Sequence, residues 1–396
     1  MPPASASRTS AAVLEVAAGL PGLRAMTHAV GDALDAGRTV ALVPGYAPAA
    51  VQRDLQARLA AGLGEPSSAR PIGSSVILPT SGSTGAPRLV VLSRQALLAS
   101  ATARDEVLGG PSAWFIALPP VTAATLIAVV RGHLAGLPVA GWPGIGGAQR
   151  FSPSAFTTAA RDLVTSAAAR CVPARTSLVS AQLARLLADA EATAVLREFA
   201  TVLVGGGPLA PELAQQARDA KVPITATYGM TETCGGCVYD GLATPGTVVA
   251  LAADGEILLG GDPLASGYLT EPLPLQDGLL RTGDRGHFAA DGRLHVVGRF
   301  DDIVTVRGAN VDLAAVTAVV QALPGVAEAA VVGEVDPDGG HRLIAHVVGE
   351  AEDDTIRTAV ANRLGAAAIP QVRRVEALPR LPGGKVDTQQ LVKGPR

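Results

Sequence analysis

Aromatic residues are scarce. Phe, Trp and Tyr make up 3% of the 396 residues, although 48% of the chain is hydrophobic. Its cores must therefore be built mainly from Ala, Val and Leu, as in many α/β enzymes. Cysteine is scarcer still, with three residues, Cys171, Cys234 and Cys237. An odd count excludes a fully paired disulfide framework and fits a reducing compartment, so a cytoplasmic location is expected. Charge is low at 17%, and 32 basic residues against 35 acidic ones are dispersed along the chain for a net charge of −3. No basic footprint for nucleic acid results. A continuous membrane-length apolar run is also missing. The longest uncharged stretch, Val107 to Val130, is interrupted by Gly109, Gly110, Pro111, Pro119 and Pro120, and reads as a buried strand plus turn. The opening "MPPASASRTSAAVLEVAAGL" holds one Arg and an early Glu15, without the charged start and apolar segment of a signal peptide.

Glycine and proline, by contrast, are plentiful at 45 and 29 residues, which predicts many ordered turns. The length favours two domains. Up to about residue 70 the chain is Ala/Leu-rich at helical spacing, as in "AAVQRDLQARLAAGL". From "SSVILPT" onward, short apolar runs such as "WFIALP", "TVLVGGG" and "VPITATYG" alternate with helical stretches such as "RTSLVSAQLARLLADAEATAVLREF", the rhythm of strands and crossover helices in a mostly parallel sheet. After about Ala250, "GEILLGG", "RTGDRGHF" and "GRLHVVGRF" read as antiparallel hairpins. Beyond "GRFDD" a helix, strand, strand, helix order predicts a small α+β domain, with the boundary at Arg299 to Asp301.

Several stretches are rich in chemistry. "TSGSTGAPR", Thr80 to Arg88, follows a strand and crowds small hydroxyl and glycine residues, so its backbone N–H groups can form a nest for phosphate oxygens. It does not match the Walker pattern, and a plain loop is the alternative. "TYGMTETCGGCVYDG" combines Glu232 with Cys234 and Cys237. The cysteines can be a redox pair or half of a zinc site, yet only Cys171 remains to complete a tetrahedral set, and no helix start follows the pair. Glu232 stands at a turn where a carboxylate can reach a phosphate-bound Mg²⁺; a solvated acid is the alternative. In "RTGDRG", Asp284 can accept ribose hydroxyls or simply close a hairpin. Lys385, in the Gly-rich "PGGKVD", gains meaning only in combination.

"TSGSTGAPR", "YGMTE", "RTGD", "GRFDD" and "PGGKVD", in that order, resemble the core motifs of the adenylate-forming superfamily of acyl-CoA synthetases, aryl-acid ligases and adenylation domains. The likeness spans roughly residues 70–396. Within that superfamily the chain is most similar to short actinobacterial-type o-succinylbenzoate–CoA ligases, through "TSLVSAQLARLL", "VLVGGGPL" and "YGMTETCGGCVYDG". The resemblance implies a large α/β N-terminal domain of mixed, mostly parallel sheets with flanking helices and a distorted β-barrel subdomain, plus a small α+β C-terminal domain joined by a hinge. The corresponding ranges are 1–298, 299–301 and 302–396.

It implies a ligase that uses ATP and Mg²⁺ to convert a small carboxylic acid into an acyl adenylate and passes the acyl group to coenzyme A, in menaquinone synthesis. Thr80, Ser81, Gly82, Ser83, Thr84, Gly85 and Arg88 would embrace phosphates. Gly205, Gly206 and Gly207 would flank adenine, Tyr228 would stack near it, and Gly229, Met230 and Thr231 would complete the nucleotide wall, Thr231 at the α-phosphate. Asp284 would hold the ribose, with Arg299 nearby. Glu232 would face Mg²⁺, Thr84 and Lys385 would join it in catalysis, and Asp301 would be the hinge. Gly308 would lie beside the coenzyme A thiol, and Thr122, Arg175, Ser177, Gly235 and Gly236 would line the acid pocket. Cys234 and Cys237 would belong to a glycine-rich wall with no metal between them. No nucleic-acid or membrane partner is expected, and a homodimer is left open.

The chain departs from that pattern at Pro87-Arg88-Leu89, where Pro-Lys-Gly is usual. Thr122 and Thr125 replace a histidine and a glycine, Arg175 an aromatic residue, and Val306-Arg307-Gly308 a Thr-Gly-Gly. These changes keep two alternatives in view. One is a diverged ligase that activates another acid or an oxyanion, even nitrite, for a carrier-protein thiol or an amine; the other is a non-catalytic nucleotide-binding paralogue.

Overall fold

In the computed structural model, residues 11–64, 75–80, 88–147, 151–306, 308–336, 340–380 and 386–393 are described. The apolar runs of the first 300 residues are short and β-branched, and they pair into three sheets. In one, strands Ala12–Val16, Thr39–Pro44 and Ser75–Thr80 run parallel, and Arg88–Ser93 and Gly267–Tyr268 add antiparallel to its edge. The first two strands were not expected from a region that reads as helical. Ala12–Val16 precedes helix Gly19–Asp35 and is largely exposed, whereas Thr39–Pro44, between helices Gly19–Asp35 and Ala49–Gly64, is a short apolar segment whose alternation is hidden by nearly continuous burial.

The second sheet orders Leu242–Ala243, Gly235–Tyr239, Ile224–Met230, Thr201–Val204, Ala174–Leu178, Ala113–Ile116 and Val139–Gly141. From Ile224–Met230 onward it is parallel; the Gly235–Tyr239 and Leu242–Ala243 edge is antiparallel. Arg175 to Leu178, read as the start of a helix, is thus strand, and helices Ser180–Leu187 and Ala190–Leu196 follow it. In the Val107 to Val130 stretch, strand Ala113–Ile116 matches the buried-strand reading, but Ala123–Ala135 is a helix, capped by Thr122 and ended by left-handed Gly136. No described helix is long and apolar enough to cross a membrane. The few aromatics are concentrated where they fill most volume: Phe115 meets Phe156 edge-on at 5.1 Å, and Phe199 packs against both.

The third sheet is antiparallel, a half-barrel of Thr247–Leu251, Glu256–Gly261, Leu279–Phe288, Leu275–Gln276 and Leu294–Arg299. Beyond it, hairpin Ile303–Val306 and Ala309–Asp312 leads into a sheet of Val326–Val335, His341–Gly349 and Gln371–Arg374, covered by helices Leu313–Gln321 and Asp353–Leu364. The expected helix, strand, strand, helix order is present. The parallel strand Gln371–Arg374 and the helix Thr388–Lys393 come in addition. Buried clusters draw either on residues between Val16 and Leu294 or on residues between Val306 and Leu391. A large N-terminal α/β domain and a small C-terminal domain result.

Candidate active site

In an open parallel sheet, ligands bind beyond the carboxyl ends of the strands. At that edge the chain places Gly205 to Gly207 after Thr201–Val204, Thr231 and Glu232 after Ile224–Met230, and Thr122 after Ala113–Ile116. Each position has a local cause. A Cβ on Gly205 would lie 2.2 Å from Thr227 Oγ1, so only glycine lets these neighbouring strands approach so closely. Gly229 is equally confined, its missing Cβ 2.3 Å from Gly235 O. Gly206 is left-handed and exposed, and Gly207 has open space before it.

Two polar chains converge there. In the first, Tyr228 Oη donates to Asp284 Oδ2 at 2.8 Å, while Arg299 Nη1 donates to Asp284 Oδ1 at 3.1 Å. Asp284 and Arg299 are direct partners across the half-barrel. Asp284 is aimed from within strand Leu279–Phe288, beside left-handed Gly283: its N–H bonds Thr282 Oγ1 at 3.0 Å, and Gly283 N–H bonds buried Glu256 Oε1 at 2.8 Å. Burial, and then the Asp284 charge, push the Tyr228 phenol well above its ordinary range.

In the second, Arg88 Nη1 donates to Tyr268 Oη at 3.1 Å, and Tyr268 Oη donates to Glu232 Oε1 at 3.0 Å. The Arg88 guanidinium also lies 5.0 Å from the Tyr268 ring centre and 3.7 Å from Glu271. Desolvation, then the Glu232 charge, push the Tyr268 phenol up to about 12. Among the described residues nothing hydrogen-bonds Glu232 Oε2, and none form a cluster of three or more metal-ligating groups. One free carboxylate oxygen suits Mg²⁺, which keeps waters and phosphate oxygens as its other ligands.

The turn after Glu232 is clamped from behind. Buried Arg104 donates through Nη2 to Thr233 O at 3.1 Å and through Nε to Gly236 O. Cys234 is left-handed and fully buried, and Cys237, in a strand, is fully buried in a different apolar cluster. Burial pushes the Cys234 thiol up to about 12 and raises that of Cys237. Neither is poised as a thiolate.

Of the acid-pocket candidates, Ser177 lines a cavity with Thr125, Ala117 and Leu118. Gly235 lies against Ala123, the residue after Thr122, and Gly236 lies against Thr227. The Thr122 hydroxyl is spent locally, donating to Pro119 O at 3.0 Å and accepting from Thr125 N at 3.3 Å. Arg175 requires a correction. It stands at the amino end of its strand, buried, with Nη1 on Gly110 O and Ser112 Oγ, both at 2.6 Å, and Nη2 on Leu108 O. It ties down the loop after helix Arg94–Val107, at the end of the strand opposite the carboxyl edge where the other candidates gather.

Thr80 ends its strand, paired with Arg88. Met230 opens the turn that holds Thr231, its N–H on Thr233 Oγ1 at 3.1 Å. Asp301 is exposed, 3.9 Å from Arg299, and Gly308 is exposed and left-handed, with no described residue but its chain neighbours within 4 Å of where a Cβ would lie. Ser81, Gly82, Ser83, Thr84, Gly85 and Lys385 lie outside the described residues, as does Arg307. Sequence reasoning missed Tyr268, Arg104 and Glu256. The "SGY" before Leu269 carried no signal of its own, and the partners of Arg104 are about 130 residues away.

A two-domain enzyme with converging polar side chains at the carboxyl edge of its central sheet, where such folds bind ligands, is the class these features define. The chain belongs to the AMP-binding enzyme family, whose model matches residues 21–269; the AMP-binding enzyme C-terminal domain matches residues 315–385. It is 37% identical over 331 residues to a Mycobacterium tuberculosis protein described as "Probable 2-succinylbenzoate--CoA ligase", covering 81% of this chain and 84% of the relative. Its fold is similar to o-succinylbenzoate coenzyme A synthetase from Bacillus subtilis in complex with the acyl-adenylate intermediate. There the TM-score is 0.78 at 24% identity over 98% of this chain and 88% of the other. The same enzyme in complex with ATP and magnesium ion aligns with a TM-score of 0.75 at 24% identity, over 96% and 88%.

Proposed function

We propose that this protein is an ATP-dependent ligase that joins a small carboxylic acid to AMP with release of pyrophosphate, then transfers the acyl group to coenzyme A. The acid of this reading is o-succinylbenzoate, the setting is menaquinone synthesis, and the location is the cytoplasm, where ATP and coenzyme A are at hand. The observation that carries it is the convergence, at one sheet edge, of the Tyr228–Asp284–Arg299 chain with the Arg88–Tyr268–Glu232 chain. Kinship to the mycobacterial ligase supports the choice of acid.

A carboxylate is a poor electrophile at neutral pH, so its oxygen must attack the α-phosphorus of ATP and become a mixed anhydride. Asp284 and Arg299 hold the ribose end, Gly205 to Gly207 and Tyr228 the adenine, and Arg88 with Thr80 to Gly85 the outer phosphates. Thr231 meets the α-phosphate. Glu232 offers its Oε2 to Mg²⁺, which neutralises charge on the phosphate oxygens. Lys385 adds a positive charge at the reacting phosphoryl group, a contribution of about 10²- to 10³-fold for one such donor. In the domain reading, residues 1–298 bind ATP and acid, 299–301 form the hinge at Asp301, and 302–396 move as a unit. Rotation withdraws Lys385 and brings Gly308 to the thiol.

A second reading rests on Thr122, whose hydroxyl caps a helix where the similar ligases carry histidine. In it the activated group is another small acid, or an oxyanion such as nitrite, and the acceptor a carrier-protein thiol or an amine. Product analysis separates the two. With ATP, Mg²⁺, coenzyme A and o-succinylbenzoate, the first reading expects the coenzyme A thioester by mass spectrometry. Pyrophosphate release with other acids and no coenzyme A consumption would favour the second.

A further inference from the structure

Tyr268 stands between the two charged side chains of the phosphate end of the site, and no motif announced it. Its backbone is pinned on both sides. Ala265 N–H bonds the carbonyl of Glu232 itself at 2.7 Å, Ser266 N–H bonds Val91 O at 3.0 Å, and Leu269 N–H bonds Leu89 O at 2.8 Å. Two-residue strand Gly267–Tyr268 pairs with Val91 and Val90, three and two residues beyond Arg88. The hydroxyl is therefore delivered to a fixed point between Arg88 Nη1 and Glu232 Oε1.

A phenol can do there what neither a carbonyl nor an ammonium can: accept from the guanidinium and donate to the carboxylate at once. Without it, Arg88 and Glu232 would be free to close into a direct ion pair. Such a pair would withdraw the carboxylate from a metal and the guanidinium from a phosphate. With it, Glu232 is held by one oxygen and presents the other.

We propose that Tyr268 is a positioning residue that spaces Arg88 from Glu232 and orients the carboxylate for the metal of MgATP. This role rests on the reading that Glu232 meets Mg²⁺. It acts on the metal-bearing phosphate end and leaves the adenine and ribose contacts alone, which makes its signature separable from a general loss of structure.

The test is calorimetric binding to the full-length protein of three ligands: ATP with Mg²⁺, ATP in chelator, and AMP. Wild type, Tyr268→Phe, Glu232→Gln and the double variant are compared. Phenylalanine keeps the ring, its contact with Arg88 and the strand pairing, and a thermal melt checks each fold. Tyr268→Phe is expected to weaken MgATP about tenfold, the effect of losing a hydrogen bond to a charged group, and to leave metal-free ATP and AMP within about twofold. Glu232→Gln is expected to erase the advantage of Mg²⁺, and the double variant to bind no more weakly than Glu232→Gln. Unchanged MgATP binding in Tyr268→Phe, with the Mg²⁺ advantage lost in Glu232→Gln, overturns the spacing role alone. A Glu232→Gln protein that keeps the advantage overturns the metal reading and the proposal with it. Equal losses for MgATP and AMP in Tyr268→Phe also overturn it, since they mark a structural side chain.

Discussion

Tyr228 donates its phenolic hydrogen to Asp284 at 2.8 Å, across 56 residues of sequence and from one sheet to another. The central sheet and the half-barrel thus meet at the point assigned to the ribose. Removing the hydroxyl by Tyr228→Phe should raise KM for ATP about tenfold and change kcat far less. Steady-state pyrophosphate release measures both, and a fall in kcat with unchanged KM would contradict the assignment. Burial and Asp284 hold the phenol above its usual value of 10.0. The donor therefore stays protonated, and KM for ATP should show no alkaline limb caused by Tyr228 up to that pH.

The thiols of Cys234 and Cys237 are predicted to be inert. In the native protein at pH 8, iodoacetamide should label Cys171, which is exposed, and spare the other two; unfolded protein should label at all three. Peptide mapping reads the outcome. Because burial raises the folded-state pKa of Cys234 from 9.0 to about 12, the unfolded chain loses that proton first. Stability conferred by the buried neutral thiol is complete below pH 9 and declines as pH rises from there toward 12. Double replacement by Ser should cause no zinc-dependent defect.

Arg175→Leu should lower stability by about 2–3 kcal/mol, through the unpaired carbonyls of Leu108 and Gly110 and the Ser112 hydroxyl. Thermal melts measure it. The apparent KM for the acid should stay at its wild-type value; an acid-specific rise in KM would return Arg175 to the pocket.

These cases show what was legible in the sequence. The order of five short motifs pointed to the family, and the alternation of apolar runs gave most strands of the central sheet. Glu232, Asp284 and Arg299 could be singled out because each sits in a motif whose neighbours constrain it. Tyr268 could not, since its partners Arg88 and Glu232 lie 180 and 36 residues away and only strand pairing brings them together. Arg175 was misread for a related reason. Its position in a strand was hidden in a run that reads as helical, so the end of the sheet it occupies was not available. Strand Thr39–Pro44 was hidden between two helices, and Ala12–Val16 beside the first of them.

Lys385→Ala should reduce adenylate formation by about 10²- to 10³-fold, yet leave thioester formation from supplied acyl adenylate within a few-fold of wild type. Single-turnover assays of the two half-reactions separate them. Equal losses in both would contradict the assignment of the lysine to the first step.

The central claim is that this chain hands AMP to an acid before any acceptor arrives. Exchange of labelled pyrophosphate into ATP, measured with Mg²⁺ and a panel of acids headed by o-succinylbenzoate and without coenzyme A, tests it most directly. Acid-dependent exchange that disappears in Lys385→Ala is the predicted result. Wild-type protein that binds ATP and yet exchanges no pyrophosphate with any acid of the panel would contradict the account.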